Sequence, residues 1–160
     1  PPREGGKRMT DLKSEFLFEM SIDIDLPQPI GATPMGKRFI AYVRGGTFKG
    51  PRLTGRVLPG GGDWVLLRSD HVFQLDVRIT LETDDGALIY TTYRGARHGS
   101  GDVMRRIAAA QPVRADEYYF RTTPYFETQA ERYAWLNRIV TVGIGEDRPG
   151  GVSYRVHQIL

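Results

Sequence analysis

The stretch VFQLDVRITLETDDGALIYTTYRG, from Val72 to Gly95, alternates apolar and polar residues on both sides of a turn centred on DDG. Such alternation is typical of β-strands, because successive side chains of a strand point to opposite faces of the sheet. A three-residue loop, residues 84–86, with Gly86 at positive φ places Asp76 directly opposite Arg94 and keeps the apolar and polar faces separate. A two-residue loop would mix the faces, since a slip of one residue moves every side chain to the other side. The stretch therefore predicts a β-hairpin with one apolar and one charged face.

The segments on either side of this hairpin extend the pattern. Alternating runs recur between Gly, Pro and Asp residues, and they bring the number of candidate strands to about eight to ten. Helical spacing is limited: residues Asp102 to Ala110 follow a capping Ser or Asp and precede Pro112, and TQAERYAW begins with the spacing of a capping box. The predicted fold class is all-β, a single antiparallel β-barrel of about eight or more strands with one short helix.

Composition excludes several classes of chemistry. The 160 residues contain no cysteine, which rules out disulfides, thiol nucleophiles and thiolate metal sites. The 22 Lys and Arg residues exceed the 19 Asp and Glu residues by a formal charge of only +3, which does not imply nucleic acid. No apolar run approaches the roughly 18 residues of a membrane span, and no export leader is evident. We therefore expect a cytoplasmic protein with one barrel domain, residues 13–160, after a disordered leader or expression remnant, residues 1–12.

Motifs for metal, nucleotide or nucleophilic serine chemistry are missing from the sequence. His71, His98 and His157 are far apart and match no metal-ligand spacing. Ser100 lacks the first glycine of a nucleophile elbow, and the glycine-rich segments fail the phosphate-loop and dinucleotide patterns. We therefore expect neither a metal nor an organic cofactor.

The charged face of the hairpin allows two interpretations, and the sequence leaves both open. In the first, the face is solvated, and its opposed charges form a surface pair that contributes at most about 1 kcal/mol. In the second, the face lines the lumen of the barrel and contacts a ligand, while another element or a partner subunit covers the apolar face. The residues of this face are Asp76, Arg78, Thr80, Tyr90, Thr92 and Arg94.

Six phrases of the sequence carry a family resemblance from about Glu15 to the C-terminus. They are GATPMGKR, GGTFKGPRLTGRVLPGGGDW, LETDDGALIY, RHG, EYYFRTTPYFET and YAWLNR. In these phrases the chain resembles the domain-of-unknown-function family 3237. The resemblance implies a β-barrel related to the allene oxide cyclase type, which agrees with the strand count. Among the positions that match the family's motifs, Asp76, Arg121, Glu127 and Asn137 are hard to explain as scaffold.

The resemblance also implies that the barrel takes up a small molecule. Related small barrels bind apolar or aromatic molecules, and several are isomerases, cyclases or lyases that move a proton and stabilise the developing charge. We therefore predict acid–base chemistry on an apolar or aromatic carbonyl or carboxylate compound. One alternative is a non-catalytic barrel that binds or carries such a molecule. Another is a structural dimer whose barrel is filled by its own side chains.

The candidate site residues come from the charged face and from the matching motifs. Asp76 and Glu127 are the candidate catalytic residues, because a carboxylate can accept a proton and return it. The candidate substrate-binding residues would anchor an anionic or carbonyl group or cover an apolar body; they are Arg78, Arg121, Asn137, Tyr90 and Trp64. The expected partner is a small-molecule ligand in the barrel, with a homodimer as an open option. Neither nucleic acid nor a membrane is expected as a partner.

Overall fold

The structure is a computed structural model that describes residues 11–160. The leader expected for residues 1–12 lies outside this range, apart from its last two residues. Ten strands dominate the described chain: β1 (Ser14–Ile24), β2 (Gln28–Thr33), β3 (Gly36–Lys49), β4 (Thr54–Val57), β5 (Gly62–Leu67), β6 (Phe73–Thr83), β7 (Leu88–His98), β8 (Tyr119–Glu127), β9 (Thr141–Arg148) and β10 (Gly151–Ile159). The helix α1 spans Gly101–Ala108, and short 3₁₀ helices span Ala115–Glu117 and Glu131–Arg138.

The strands close into an antiparallel barrel. Neighbouring strands pair in the order β1, β10, β9, β8, β7, β6, β4 and β3, and β1 also pairs with β3, which completes the circle. The short strands β4 and β5 together occupy one position in the barrel wall, between β3 and β6, because each of them pairs with both of these strands. Strand β2 pairs with the beginning of β3 outside this circle. The predicted all-β antiparallel barrel is therefore confirmed.

The hairpin of β6 and β7 has the predicted register. Asp76 is paired with Arg94, and Val77 with Tyr93. Gly86 has a φ of 86°, and the amide of Thr83 donates to the carbonyl of Ala87 at 2.9 Å, which leaves three residues in the loop. A positive φ costs little at glycine because it has no Cβ. The turn chemistry of DDG therefore fixed the register, as expected.

Helix α1 begins one residue before the predicted helix and ends two residues earlier. The hydroxyl of Ser100 accepts a hydrogen bond from the Val103 amide at 3.3 Å and caps its first turn. The capping box expected at Thr128 is absent from the following 3₁₀ helix, because the Thr128 hydroxyl accepts from the Ala130 amide instead. No helix of residues 11–160 is long and apolar enough to cross a membrane.

The apolar face of the hairpin points into the barrel, and its charged face points outward. Ile79, Leu81 and Ile89 are almost fully buried, whereas the side chain of Arg78 is 50% exposed. The interpretation in which the charged face lines the lumen is therefore wrong. Burying the apolar face removes hydrocarbon from water, while burying the charged face would require partners for each ion.

One end of the barrel is filled by its own side chains. The Phe18 ring lies 5.5 Å from the Phe48 ring and 5.8 Å from the Phe126 ring, measured between centroids. Tyr133 and Leu136 of the 3₁₀ helix Glu131–Arg138 are buried in the same cluster. This aromatic plug closes the lumen at the end where β8 finishes, so any internal site must lie toward the opposite end.

Candidate functional site

A cavity of about 270 Å³ occupies the half of the lumen opposite the plug. Its wall is mainly apolar and includes Ile22, Val43, Leu75, Val77 and Phe120. A smaller group of polar side chains interrupts this wall: Asp63, Tyr93, Arg97, Asp147 and Tyr154. An apolar cavity with few polar groups is the usual form of a small-molecule site, and this volume is near the lower end of such sites.

Asp63 is the most unusual polar group of the cavity. It lies on β5 directly after the glycine turn, and its Oδ1 atom accepts a hydrogen bond from the Asp76 amide at 2.9 Å. Burial raises the pKa of Asp63 from 3.8 to about 6. The hydrogen bond from the Asp76 amide and the charge of Arg97 oppose this shift, and the charge of Asp76 adds to it. Such a carboxylate is a stronger base than an exposed one, and it still ionises near neutral pH.

Tyr93 and Tyr154 lie side by side in the wall. Their rings meet edge to face, with centroids 5.3 Å apart and planes inclined at 70°. Burial raises the pKa of both hydroxyls, well above the ordinary value for Tyr93, and the charge of Asp63 raises both further. Both hydroxyls therefore keep their protons at neutral pH and can donate hydrogen bonds to an oxygen that acquires negative charge.

Arg97 and Asp147 form an ion pair within the same wall. Both side chains are largely buried, at 21% and 17% exposure. The guanidinium carbon lies 4.6 Å above the Phe73 ring, and the Asp147 amide donates to the Tyr118 hydroxyl at 2.7 Å. Burial raises the pKa of the Asp147 carboxyl, and Arg97 opposes the shift. Contacts with Phe73 of β6 and with Tyr118 therefore hold the two partners of the ion pair in place.

Gly145 makes room for one of the rings beside this site. A Cβ atom at position 145 would lie 2.6 Å from the ring of Phe120, far inside van der Waals contact. Phe120 in turn packs edge to face against Tyr154, with centroids 5.4 Å apart. The missing side chain on β9 therefore helps to position a tyrosine of the site.

The residues predicted around Asp76 lie on the outer surface of the barrel. The Asp76 carboxylate faces Arg78 at 3.7 Å on its own strand rather than Arg94 across the hairpin. The Arg78 guanidinium carbon lies 5.4 Å from the Trp64 ring centroid, and Trp64 is half-buried on the same outer face. Asp76, Arg78 and Trp64 are neighbours, but none of their side chains lines the cavity.

The other predicted site residues are also outside the cavity and are spread along the wall. Tyr90 is exposed opposite the exposed Glu127, and Arg121 lies further along β8 with its guanidinium bonded to the Phe120 carbonyl at 3.0 Å. Asn137 accepts from the Thr128 amide at 2.8 Å and donates to the Thr128 carbonyl at 2.9 Å, so it stabilises a loop. The expected convergence of these residues on the lumen does not occur.

The sequence analysis missed three charged residues of the cavity, because each lies where the regular apolar alternation of its strand begins or ends: Asp63, Arg97 and Asp147. Arg97 lies on the inward-facing positions of β7, two residues after Gly95, and Asp147 continues the inward series Thr141, Gly143 and Gly145 of β9. Arg97 and Asp147 could therefore have been predicted from the sequence, because each is a charged residue at a position where the alternation of its strand calls for an inward-facing side chain. Asp63 follows a glycine run, where no alternation sets its direction in advance.

The fold and the cavity define a class of protein: a closed antiparallel β-barrel with a few polar groups in a cavity of ligand size. Residues 12–159 match the family described as "Protein of unknown function (DUF3237)", and the chain belongs to that family. A UPF0311 protein from Rhodopseudomonas palustris is 34% identical over 149 residues, which cover 93% of this chain and 97% of the relative.

Solved structures agree with this assignment. A β-barrel-like protein from Acinetobacter baumannii has 36% identity and a TM-score of 0.84, with coverage of 97% of this chain and 100% of that one. An enzyme from Penicillium herquei has 22% identity and a TM-score of 0.71, with coverage of 97% and 99%. At that identity, the second likeness extends to the fold alone.

Proposed function

We propose that this protein binds a neutral or weakly polar aromatic carbonyl compound in the barrel cavity and isomerises it by moving a proton. The observation that carries the proposal is the position of Asp63: its carboxyl group lines a mainly apolar cavity together with Tyr93 and Tyr154, and burial there raises its pKa to about 6. Strongly shifted carboxyl groups in cavities are common at catalytic sites. The enzyme from Penicillium herquei adds the precedent of catalysis on a similar barrel.

Asp63 would act as the general base. Its carboxylate removes a proton from the carbon next to the carbonyl group, and the electron pair of that C–H bond moves onto the carbonyl oxygen to give an enolate. The hydroxyls of Tyr93 and Tyr154 donate hydrogen bonds to this oxygen, which stabilises the negative charge. The protonated Asp63 then returns the proton to a carbon of the conjugated system, and the product is an isomer of the substrate.

The size of the cavity sets the scale of the substrate. An engineered apolar cavity of about 150 Å³ takes up benzene, and the cavity here measures about 270 Å³. A two-ring compound therefore suits the available space. The apolar wall would bind the ring system, and the polar groups would orient the carbonyl oxygen.

Deuterium exchange of an enolisable ketone tests the proposal. We expect the protein to accelerate exchange of the α-hydrogens of 2-tetralone in D₂O, measured by proton NMR. Asp63→Asn should lower this rate by at least about 100-fold, because general base catalysis contributes at least that factor. Glu146→Gln, which removes a carboxylate from the exposed face of β9, is the matched control and should leave the rate unchanged.

The pH profile and the binding step separate the alternatives. The rate should rise with pH as Asp63 loses its proton and level off above about 6. Binding of 2-tetralone in the cavity without any exchange would favour a carrier barrel over an isomerase. Exchange that survives Asp63→Asn in a folded protein would contradict the assignment of the base.

A further inference from the structure

We propose that Asp147 occupies the guanidinium group of Arg97 and thereby makes the cavity select neutral ligands over carboxylates. The inference rests on the proposed function, because it names the ligand class of the same cavity. An arginine in an apolar cavity is ordinarily the natural anchor of a carboxylate, through parallel hydrogen bonds. Here that role is already taken by a carboxylate of the protein.

The geometry holds the two partners together. Nη1 of Arg97 donates to Oδ1 of Asp147, and the guanidinium lies over the Phe73 ring. The Asp147 amide donates a hydrogen bond to the Tyr118 hydroxyl, which fixes the backbone at this position. Strand β9 ends one residue later, at the tight turn to β10. The other carboxylate oxygen, Oδ2, is buried without a hydrogen-bond partner among the described residues, so Arg97 is the main support of this charge.

The charges of the cavity then disfavour an anion. Among the cavity-lining residues of the described range 11–160, Arg97 supplies one positive charge and the ionised Asp63 and Asp147 supply two negative charges, so these side chains carry a formal charge of −1. A bound carboxylate would add a second uncompensated negative charge in a poorly solvated space, where unpaired ions are costly. A neutral hydroxyl or carbonyl group meets no such cost, because Asp63 can accept from it and Tyr93 or Tyr154 can donate to it.

Removal of the Asp147 charge should therefore reverse the preference. Asp147→Asn keeps the size of the side chain but releases the positive charge of Arg97 toward the cavity. Asn can still accept one hydrogen bond from the guanidinium, so the variant should keep the local packing. Glu146→Gln removes the same charge from the neighbouring, outward-facing residue and is the matched control.

The probes are 2-naphthol and 2-naphthoate, which share a ring system and differ in charge at neutral pH. We expect wild-type protein and Glu146→Gln to bind 2-naphthol at least about tenfold more tightly than 2-naphthoate by titration calorimetry. Asp147→Asn should tighten 2-naphthoate by at least about tenfold and change 2-naphthol by much less. Circular dichroism and the thermal midpoint establish that the variant is folded.

Other results would overturn the inference in distinguishable ways. Equal affinity of wild-type protein for both probes contradicts the selectivity but leaves the proposed binding site intact. An unchanged affinity of folded Asp147→Asn for 2-naphthoate contradicts the role of Asp147. If Asp147→Asn does not fold, the preference of the wild-type protein and the variant Asp147→Ser decide the question. Absence of binding by either probe to the wild-type protein contradicts the inference, and the proposed function itself is contradicted only if 2-tetralone also neither binds nor exchanges faster.

Discussion

Asp63→Asn should stabilise the folded protein above neutral pH while it lowers the rate of the proposed catalysis. Burial raises the pKa of Asp63 in the folded state from 3.8 to about 6. The folded protein therefore holds this proton more tightly than the unfolded chain does. The ionised form opposes folding, and this cost is absent below about pH 4, develops as the pH rises to about 6 and is complete above it.

The size of the effect follows from that shift. At about 1.4 kcal/mol for each pH unit, the change from 3.8 to about 6 corresponds to about 3 kcal/mol. The asparagine side chain never ionises, and its amide oxygen can still accept the hydrogen bond from the Asp76 amide. The free energy of unfolding of Asp63→Asn, relative to wild type, should therefore increase by about 3 kcal/mol between about pH 4 and pH 8.

Urea denaturation followed by circular dichroism measures this difference across the pH range. Asp116→Asn is the control, because Asp116 is an exposed carboxylate paired with Arg114, and exposed pairs contribute at most about 1 kcal/mol. A stability difference between Asp63→Asn and wild type that stays constant with pH would refute the argument, since Asp63 would then titrate alike in both states. A difference that shrinks as the pH rises would refute it as well.

Three further predictions concern the wall of the barrel. Asp76→Asn should retain tetralone exchange if the base lies in the cavity, whereas the assignment made from sequence requires a large loss; NMR exchange rates decide between them. Ala41→Phe should block binding of 2-naphthol in titration calorimetry, because Ala41 lines the cavity, while Ala32→Phe on the exposed β2 should leave binding intact. Gly145→Ala should lower the free energy of unfolding by about 1–3 kcal/mol, because the added Cβ would clash with the Phe120 ring and overpack the site. An unchanged midpoint of urea denaturation would contradict this steric reason.

The strand pattern and the turns could be predicted from the sequence because they depend on local chemistry. The register of β6 and β7 is fixed by two local features: a glycine at the loop position that needs positive φ, and the alternation of apolar and polar residues on both sides of it. Neither feature depends on the rest of the chain. The capping serine before α1 acts over three residues, and it located the helix to within two residues at either end. The family phrases agreed with the same architecture, since the chain belongs to the family they indicated.

The candidate site was predicted from conspicuous charges, and that choice led to the outer surface. Asp76 and Arg78 stand out in the sequence because they place opposite charges on one face of the hairpin, yet they partner each other beside Trp64 outside the barrel. Asn137 has a structural role in a loop. A catalytic role for these residues stays a prediction, while the polar side chains that line the cavity are different ones: Asp63, Tyr93, Arg97, Asp147 and Tyr154.

The sequence by itself determined which faces of the strands are apolar and how neighbouring strands pair, because alternation and turn geometry act between residues close in the chain. Only the tertiary structure decided that the apolar face closes around a cavity instead of a fully packed core. It also brought Asp63 of β5, Arg97 of β7 and Asp147 of β9 into one wall. Closure of the barrel joins strands that are distant in sequence, and burial then changes the chemistry of their side chains.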